Sequence, residues 1–340
     1  MKLSVSLFLM VFLNAMTLQA QDFVVPDDGS FEQAIAAANN RADHRKRFVI
    51  LVKAGTHVSK GTGELISSKV KDSQGKDSTI WFPSPIVTLR APRVTIQGEG
   101  KDLSIVENRP THEGISITST LFVDGADSTV ISNLTLRCNF NNDPTAFANR
   151  AVALRERGCK GNRLMNVRLL STQDTYYTNA GGDTTLDSCD IHGTVDFICG
   201  GGTVRFNSCT IHLEPRGKTG SRDVVCAPAT NPDEMGYIFK NCTITGSPEQ
   251  DGRYHLARPW RNAPTCVFLN TRMLLLPAIA GYCEMHGTLP RLFAEYGSVD
   301  KDGVPVDCGQ RKTTFKNREG EEIQMDYSPV LSEEEYQKYK

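Results

Sequence analysis

The sequence lacks several features that would place it in a class at once. Its 10 cysteines form no CxxC pair and no compact Cys/His spacing, which argues against a structural zinc module. It also lacks a charge excess of either sign, because 38 basic residues stand against 39 acidic ones, so no basic field favours a nucleic acid. The 340 residues contain no linker long or biased enough to divide them. These absences favour one large domain that binds its partners through local side chains.

The first twenty residues differ in composition from the rest. Lys2 gives a positive start, Leu3–Met16 is mostly apolar, and Ala20 offers a small residue before Gln21. This pattern predicts a secretory signal peptide over residues 1–20. The apolar core is too short for a transmembrane helix. A buried N-terminal helix is the alternative. We therefore expect an exported protein, periplasmic or extracellular, without a membrane span.

A weak repeat of strand-like segments runs along the chain. Each segment has an apolar residue, a small polar residue and then alternating apolar positions, which is typical of short strands. The small polar positions are Asn133, Asn166, Ser188, Ser208, Asn241 and Asn270. Their spacings of 33, 22, 20, 33 and 29 residues fit a coil of 20–22 residues lengthened by loop insertions. The segment VTIQGEG, residues 94–100, resembles an earlier coil.

The repeat predicts an all-β fold, a single parallel β-helix. An antiparallel β-sandwich is the alternative, but the segments recur in the same sense along the chain. We expect the solenoid over residues 21–310 and a C-terminal extension over 311–340 that packs on it. Ser30 caps an N-terminal helix that ends near Asn40, and residues 60–77 are expected to be an exposed loop.

The C-terminal extension carries its own helix signal. Ser332 and Glu335 have the spacing of a capping box at the start of the final segment.

The segment GTVDFICG places one acid, Asp196, in the middle of an apolar run. Asp174 precedes it by 22 residues, about one coil, and Gln173 lies beside Asp174. Adjacent parallel strands lie about 4.8 Å apart, so one coil stacks the two carboxylates. Two close carboxylates repel each other, and one then holds its proton more tightly. Such a split lets one act as a nucleophile and the other as an acid. Either acid alone is more simply a turn cap or an arginine partner.

The segment LARPW supplies a cation and an aromatic ring further along. A guanidinium at Arg258 can hold a carboxylate in its charged form through two hydrogen bonds. Trp260 offers a flat apolar face that suits a sugar ring or rigid packing.

Two pairs of residues recur at a spacing of one coil. Cys189 and Cys209 are 20 residues apart, and so are His192 and His212. The cysteines could form a disulfide across coils or a reduced, buried ladder. The histidines could bind a metal, but the sequence indicates no third ligand and the repeat explains their spacing. We therefore expect neither a metal nor a cofactor.

Three motifs together resemble those of one family. GTVDFICG, TQDTYY and LARPW are similar to the GTVDFIFG, YQDTLY and LGRPW segments of the pectin methylesterases, in the same order and at similar spacing. Weaker likeness extends over residues 22–305. The resemblance implies a right-handed parallel β-helix that hydrolyses methyl esters of polygalacturonate without a metal.

The resemblance also implies roles for four residues. Asp196 would attack the ester carbonyl, and Asp174 would protonate the leaving methanol and then activate water. Arg258 would orient Asp196, and Gln173 would donate a hydrogen bond to the oxyanion.

Five further residues are expected to contact substrate. Trp260, Tyr177 and Phe197 would line the sugar cleft. Arg150 stands where the family has a glutamine; it could stabilise an oxyanion, bind a substrate carboxylate or pair with Asp174. Tyr282 would replace a wall that the family often builds with tryptophan.

The expected partner is methyl-esterified polygalacturonate, that is pectin, bound by a monomer that takes no nucleic acid. Two alternatives remain open from the sequence. The first is a pectin-binding β-helix with weakened catalysis, motivated by Arg150 and by Cys199, which replaces an aromatic residue. The second is an esterase that acts on a different pectic or acyl ester.

Overall fold

The computed structural model describes residues 21–71, 77–140, 150–216 and 223–340. The predicted signal peptide, residues 1–20, lies outside the described residues. Strands dominate. The first ten are β1 (Phe23–Val25), β2 (Phe48–Val52), β3 (Gly55–Ser59), β4 (Leu65–Lys71), β5 (Asp77–Pro83), β6 (Val87–Leu89), β7 (Val94–Gly98), β8 (Ser104–Asn108), β9 (Leu121–Asp124) and β10 (Val130–Ser132).

The central strands carry the regular coils. They are β11 (Thr135–Cys138), β12 (Leu154–Arg157), β13 (Lys160–Met165), β14 (Arg168–Leu170), β15 (Tyr176–Thr178), β16 (Asp183–Asp187), β17 (Asp190–Gly193), β18 (Val195–Gly200), β19 (Thr203–Asn207) and β20 (Thr210–Leu213).

The remaining strands complete the solenoid and its C-terminal end. They are β21 (Val224–Pro228), β22 (Tyr237–Lys240), β23 (Thr243–Gly246), β24 (His255–Ala257), β25 (Thr265–Leu269), β26 (Arg272–Met273), β27 (Leu292–Tyr296), β28 (Val299–Asp300), β29 (Thr314–Lys316) and β30 (Glu322–Gln324). The helices are α1 (Phe31–Asn40) and α2 (Glu333–Tyr339), with a 3-10 turn at Pro248–Gln250.

Three long sheets form the faces of the solenoid. Sheet A has ten strands in the order β1-β2-β7-β10-β13-β16-β19-β22-β25-β27, and sheet B has nine in the order β28-β26-β23-β20-β17-β14-β11-β8-β3. Sheet C has seven, in the order β24-β21-β18-β15-β12-β9-β6. Neighbouring strands in the central coils pair in parallel, and each coil gives one strand to each sheet, as β16, β17 and β18 do. This confirms the predicted parallel β-helix.

The small polar positions of the repeat mark the same corner in six successive coils. All six lie between a strand of sheet A and the next strand of sheet B, with φ between 51° and 55°. This left-handed conformation is strained for most side chains and tolerated by asparagine. The Asn166 amide also donates to Asn133 of the preceding coil, at 2.9 Å. The small polar residues of the repeat therefore reflect the need for a left-handed backbone conformation at this corner.

Apolar side chains stack in rows inside the solenoid. Phe206, Phe239 and Phe268 lie in register on three adjacent strands of sheet A, with ring centroids 4.3 and 4.6 Å apart. Each buried aromatic ring contributes about 1.5–3 kcal/mol through removal of apolar surface from water. The rows fix the register of the coils, because a shift by one residue would turn each ring outward.

Cysteines form a second interior row. All ten cysteines are buried, and none of them is in a disulfide. Cys189, Cys209 and Cys242 follow one another on successive coils, just after the left-handed corners. Of the two possibilities that the spacing left open, the structure has the reduced, buried ladder.

The ends of the solenoid are closed by helices and by the C-terminal segment. Helix α1 begins after Ser30, the predicted cap, which forms a capping box with Gln33. Leu331, Tyr336 and Tyr339 of the C-terminal extension pack on sheet A. Arg311 forms a buried ion pair with Glu295 of β27 at 2.7 Å. Ser332 caps α2 as its sequence indicated. None of the helices in the described residues is long and apolar enough to cross a membrane.

One expectation about the N-terminal part is wrong. Strands β4 and β5 form an antiparallel hairpin, so the supposed loop over residues 60–77 is partly regular. The hairpin keeps much of its surface in water, so its sequence lacks the apolar alternation that normally marks a strand.

Candidate active site

The site lies on sheet C. Strands β15 and β18 pair with Tyr176 opposite Ile198, an offset of 22 residues. Asp174 and Asp196 precede these residues by two positions each, so the same register aligns them on neighbouring coils. Both carboxylates are buried, yet both border one open cleft. The remaining residues that border this cleft are Ile115, Arg150, Gln173, Cys199, Ala227, Trp260 and Met285.

Both aspartates have an unusual backbone conformation. Asp174 has a φ of 61° and Asp196 a φ of 51°, within the left-handed region. Aspartate tolerates this conformation better than most residues do. The ladder of β18 on β21 is also irregular between Val195 and Ile198. Such local strain is common at functional sites.

The glycines of GTVDFICG are needed for close packing. A Cβ on Gly193 would lie 2.2 Å from the Cβ of Phe197. Gly200 has a φ of 108°, and its Cβ would lie 1.8 Å from the carbonyl oxygen of Thr178. The segment can therefore turn the Asp196 carboxylate into the cleft only because both of its ends approach neighbouring backbone or side chains without a Cβ.

Arg258 forms a bidentate ion pair with Asp196 through two hydrogen bonds. Its Nε donates to Oδ1 at 2.7 Å, and its Nη2 donates to Oδ2. Burial opposes the charged guanidinium, but the hydrogen bonds to Asp196 leave the pKa of Arg258 raised. Such a bidentate pair holds a carboxylate ionised and fixes its orientation.

Asp174 has the opposite environment. Burial, followed by the charge of Asp196, raises its pKa to about 8. Arg150 and a hydrogen bond from Cys199 oppose this shift without cancelling it. The carboxyl of Asp174 therefore holds a proton at neutral pH, while Asp196 is paired with a cation. The two acids are chemically distinct although they stand in equivalent positions on adjacent coils.

Cys199 lies against the protonated acid. Its thiol donates to Oδ1 of Asp174 at an S–O distance of 3.6 Å. Burial, together with the charge of Asp174, raises the pKa of the Cys199 thiol well above its usual range. The thiol is therefore a neutral donor at this position and not a nucleophile.

Arg150 pairs with Glu113 and not with Asp174. Its Nε donates to Oε2 at 2.8 Å and its Nη2 to Oε1 at 2.5 Å. The hydrogen bonds to Glu113 raise the pKa of Arg150. Its backbone forms a parallel bridge to Gln173, which places both residues at the mouth of the cleft.

Two aromatic rings stand at the edge of the cleft. Trp260 borders it, and Tyr177 lies beside Trp260 with ring centroids 6.3 Å apart. Arg155 lies over the Tyr177 ring at 5.4 Å, and Arg261 lies over Trp260 at 4.7 Å. Both aromatic side chains are partly exposed. Their faces suit a sugar ring.

The predicted substrate contacts of Phe197 and Tyr282 are wrong. Both side chains are fully buried in the solenoid core, so neither can contact a substrate bound in the cleft. Phe197 follows the outward-facing Asp196 and must point inward. Tyr282 pairs with Ala257, which also faces the core, whereas Arg258 is the next residue and faces out.

Sequence reasoning missed three contributors to the cleft. Met285 borders the cleft three residues after Tyr282, the residue that the sequence had placed in this wall. Ile115 and Glu113 come from a stretch without strand alternation, and no sequence signal connected Glu113 with Arg150.

A second cluster of titratable side chains lies outside the cleft. Within the described ranges, one cluster of three side chains could hold a metal, and it contains His192, His212 and Glu214. The sequence had indicated no third ligand for the histidine pair. Glu214 follows His212 by two positions and therefore shares its face of the strand.

The fold and the site define a class: parallel β-helix proteins with a cleft on one sheet that holds two dissimilar carboxylates. Comparison with known proteins narrows the class. A sequence model of the family Pectinesterase matches residues 85–324. The chain belongs to the pectinesterase family.

Individual relatives are distant. Probable pectinesterase 30 of Arabidopsis thaliana is 28% identical over 291 residues, which cover 82% of this chain and 51% of that protein. Pectinesterase/pectinesterase inhibitor U1 of Solanum lycopersicum is 27% identical over 305 residues, with 85% and 46% covered. The chain spans about half the length of the curated relatives it matches.

Solved structures agree on the fold. A pectin methylesterase in complex with a hexasaccharide superposes with a TM-score of 0.70 at 21% identity, covering 95% of this chain and 96% of that one. The pectin methylesterase from carrot gives a TM-score of 0.62 at 18% identity, with 92% and 89% covered.

Proposed function

We propose that this chain hydrolyses methyl esters of galacturonate units in pectin and releases methanol and a free carboxylate. The observation that carries the proposal is the division between two aligned carboxylates, Asp196 paired with Arg258 and Asp174 with a pKa of about 8. Membership in the pectinesterase family supports the ester and the sugar acid as substrate.

In the first half of the reaction, an Asp196 oxygen attacks the ester carbonyl carbon. The carbonyl oxygen becomes an oxyanion, to which the Gln173 amide at the mouth of the cleft donates a hydrogen bond. As the intermediate collapses, Asp174 donates its proton to the methoxy oxygen. Methanol leaves, and an acyl anhydride links the sugar to Asp196.

In the second half, Asp174 acts as a base. Its carboxylate takes a proton from water, and the resulting hydroxide attacks the acyl carbon of the anhydride. The bond to Asp196 breaks, which restores the Asp196 carboxylate and leaves Asp174 protonated again; the galacturonic acid product departs and releases its carboxyl proton to solvent. Arg258 stabilises the departing Asp196 carboxylate through the same two hydrogen bonds it makes at rest.

Arg150 supports catalysis in this arrangement because Glu113 engages its guanidinium. A direct pair between Arg150 and Asp174 would hold Asp174 ionised and disable the acid. The Glu113 pair instead leaves Arg150 as a half-exposed cation at the cleft mouth, suited to a free carboxylate on a neighbouring sugar. Trp260 and Tyr177 would stack on sugar rings.

The test is methanol release from highly methylated homogalacturonan. We expect release by the wild-type chain and loss of release with Asp196→Asn or Asp174→Asn, because asparagine keeps the left-handed backbone but supplies neither nucleophile nor acid. Asp302→Asn, on an exposed turn far along the chain, is the matched control.

Three other results would each favour a different function or mechanism. Binding of oligogalacturonates without methanol release would support a pectin-binding solenoid, and Arg150→Gln would then show whether the arginine is responsible. Release of another acyl group, but no methanol, would support an esterase for a different ester. Undiminished methanol release by Asp196→Asn would rule out the assigned nucleophile.

We further propose that the chain is exported and acts as a monomer. Amino-terminal sequencing of the protein recovered from culture fluid or periplasm tests cleavage near residue 20. Sedimentation equilibrium measures the molar mass in solution and so tests whether the chain is a monomer.

A further inference from the structure

A second cluster of chemically active side chains lies on sheet B, outside the cleft. Strands β17 and β20 pair in register, so His192 lies directly beside His212. Their ring centroids are 4.7 Å apart, with an angle of 37° between the ring planes. Both alternate with core residues on their strands and face solvent, with side-chain exposures of 19% and 31%.

Glu214 completes the cluster. Its Oε1 lies 2.8 Å from Nδ1 of His192 and 3.8 Å from Nε2 of His212. One ligand atom from each of the three residues lies within 4.8 Å of the others. Ligand atoms about 2.0–2.2 Å from one ion are separated by little more than 3 Å, so side-chain rotations alone can close the set.

An outer hydrogen bond holds one ring in place. Nδ1 of His212 lies 2.6 Å from Oγ1 of Thr245, on the next strand of the sheet. A neutral His212 that donates its Nδ1 proton to Thr245 presents its Nε2 lone pair on the side of Glu214. Histidines that bind metals usually make such a bond through the other ring nitrogen.

The nearby cations are already engaged. Asp190, two residues before His192, binds Lys101 at 2.7 Å and Arg168 at 3.4 Å. An ion at the cluster thus faces two acids as well as these two paired cations.

We propose that His192, His212 and Glu214 form a binding site for a divalent transition metal, best suited to Zn²⁺. Two imidazole nitrogens and one carboxylate oxygen are borderline ligands, which zinc accepts in tetrahedral sites that leave a fourth position for water. The site is independent of the proposed esterase activity, because none of its ligands borders the cleft.

The site is coupled to the fold near the cleft. The backbone carbonyl of His192 accepts a hydrogen bond from Oγ1 of Thr175 at 2.8 Å, and Thr175 follows Asp174. A metal that joins β17 to β20 therefore stabilises two coils beneath the aspartates. Because it binds the folded chain, it raises the melting temperature.

The test is calorimetric titration of Zn²⁺ into the chain carrying no polyhistidine tag, with Co²⁺ absorption as a second readout. We expect one equivalent to bind and the melting temperature to rise with zinc concentration. His212→Asn and Glu214→Gln each lower the affinity at least about 100-fold, and Thr245→Val lowers it about 10-fold. His44→Asn, an exposed histidine elsewhere, is the matched control and leaves binding unchanged.

Co²⁺ absorption distinguishes binding at the histidine cluster from binding by cysteine thiolates. Cobalt held by nitrogen and oxygen shows only weak visible bands, whereas thiolate ligation adds an intense near-ultraviolet band. Circular dichroism establishes that each variant is folded. Absence of stoichiometric binding, binding unchanged in both ligand variants, or a thiolate band would each overturn the proposal.

Discussion

The corner between sheets A and B and the cleft on sheet C use the same backbone conformation for different purposes. At the corner, six small polar residues adopt φ values of 51–55° and repeat from coil to coil. In the cleft, Asp174 and Asp196 adopt φ values of 61° and 51°. The corner residues turn the chain, whereas the aspartates border the cleft.

The difference lies in what surrounds each side chain. The Asn166 amide meets an identical amide on the preceding coil, and the pair is satisfied at 2.9 Å. Asp174 meets another carboxylate, and this neighbour helps to hold its pKa near 8. A ladder of like groups is stabilising when each member is both donor and acceptor, and it becomes reactive when the members carry like charges.

The largest effect is expected from Asp196→Asn. Removal of the nucleophile should lower kcat for methanol release by about 10⁴-fold or more, as loss of a catalytic nucleophile does elsewhere. Arg258 then loses its anionic partner, so the free energy of unfolding should also fall. Steady-state kinetics and thermal melts measure both. A modest loss of rate would mean that the left-handed aspartate serves structure, like the corner residues.

Asp174→Asn should lower kcat by about 10²–10⁴-fold, the usual contribution of a general acid. In the wild type, the acid form is lost as pH rises, so kcat should fall above an apparent pKa of about 8. A rate that stays constant through pH 8–9 would contradict this role. The matched control is Asn166→Ala, whose alkaline limb should not move.

Asp174→Asn should also change how the free energy of unfolding depends on pH. The folded pKa of Asp174 is raised, so the folded chain keeps a proton that the unfolded chain loses above about pH 4. The wild type is therefore destabilised as pH rises from about 4 to 8, and Asp174→Asn should escape this loss. Denaturant unfolding at several pH values measures the difference. Parallel curves for the two chains would refute the raised pKa.

Cys199→Ala should shift the alkaline limb by about half a pH unit. The thiol donates to the ionised form of Asp174 and lowers its pKa, so its removal should move the limb to higher pH. Cys199→Ser, which keeps a donor, should shift it less. A pH–rate profile of each variant separates these results, and a shift to lower pH would contradict the assigned hydrogen bond.

The smallest effect is expected at the corner. Asn166→Ala should lower the free energy of unfolding by about 1–2 kcal/mol, through the left-handed backbone and the lost amide bond. Asn166→Gly should cost less, because glycine tolerates this conformation. Methanol release should be unchanged in both. A loss of activity without a loss of stability would break the division between corner and cleft.

The features that follow from the repeat of coils could be predicted from the sequence. The six corner residues marked the coils, and an offset of 22 residues aligned the two aspartates correctly. The prediction failed where the alternation of side chains is interrupted. The left-handed Asp196 and the irregular ladder around it place both Phe197 and Ile198 in the core and Cys199 in the cleft, which a period of two could not reveal.

Partners from distant or irregular segments also escaped prediction. Glu113 reaches Arg150 across 37 residues, from a stretch without regular alternation. Glu214 joins the histidine pair because the backbone pairing continues one residue past β20, where the Glu214 amide donates to the Gly193 carbonyl. Such contacts depend on where loops fold back, and this information is not contained in the repeat.

The most direct test of the central claim is the pKa of Asp174, followed by carbon-13 NMR of labelled aspartate side chains. The Asp174→Asn spectrum assigns the signal. Our account predicts a pKa of about 8 in the wild type and a lower value in Asp196→Asn, because a like charge has been removed. An ordinary carboxyl pKa near 4 in the wild type would contradict the division of roles between the two acids.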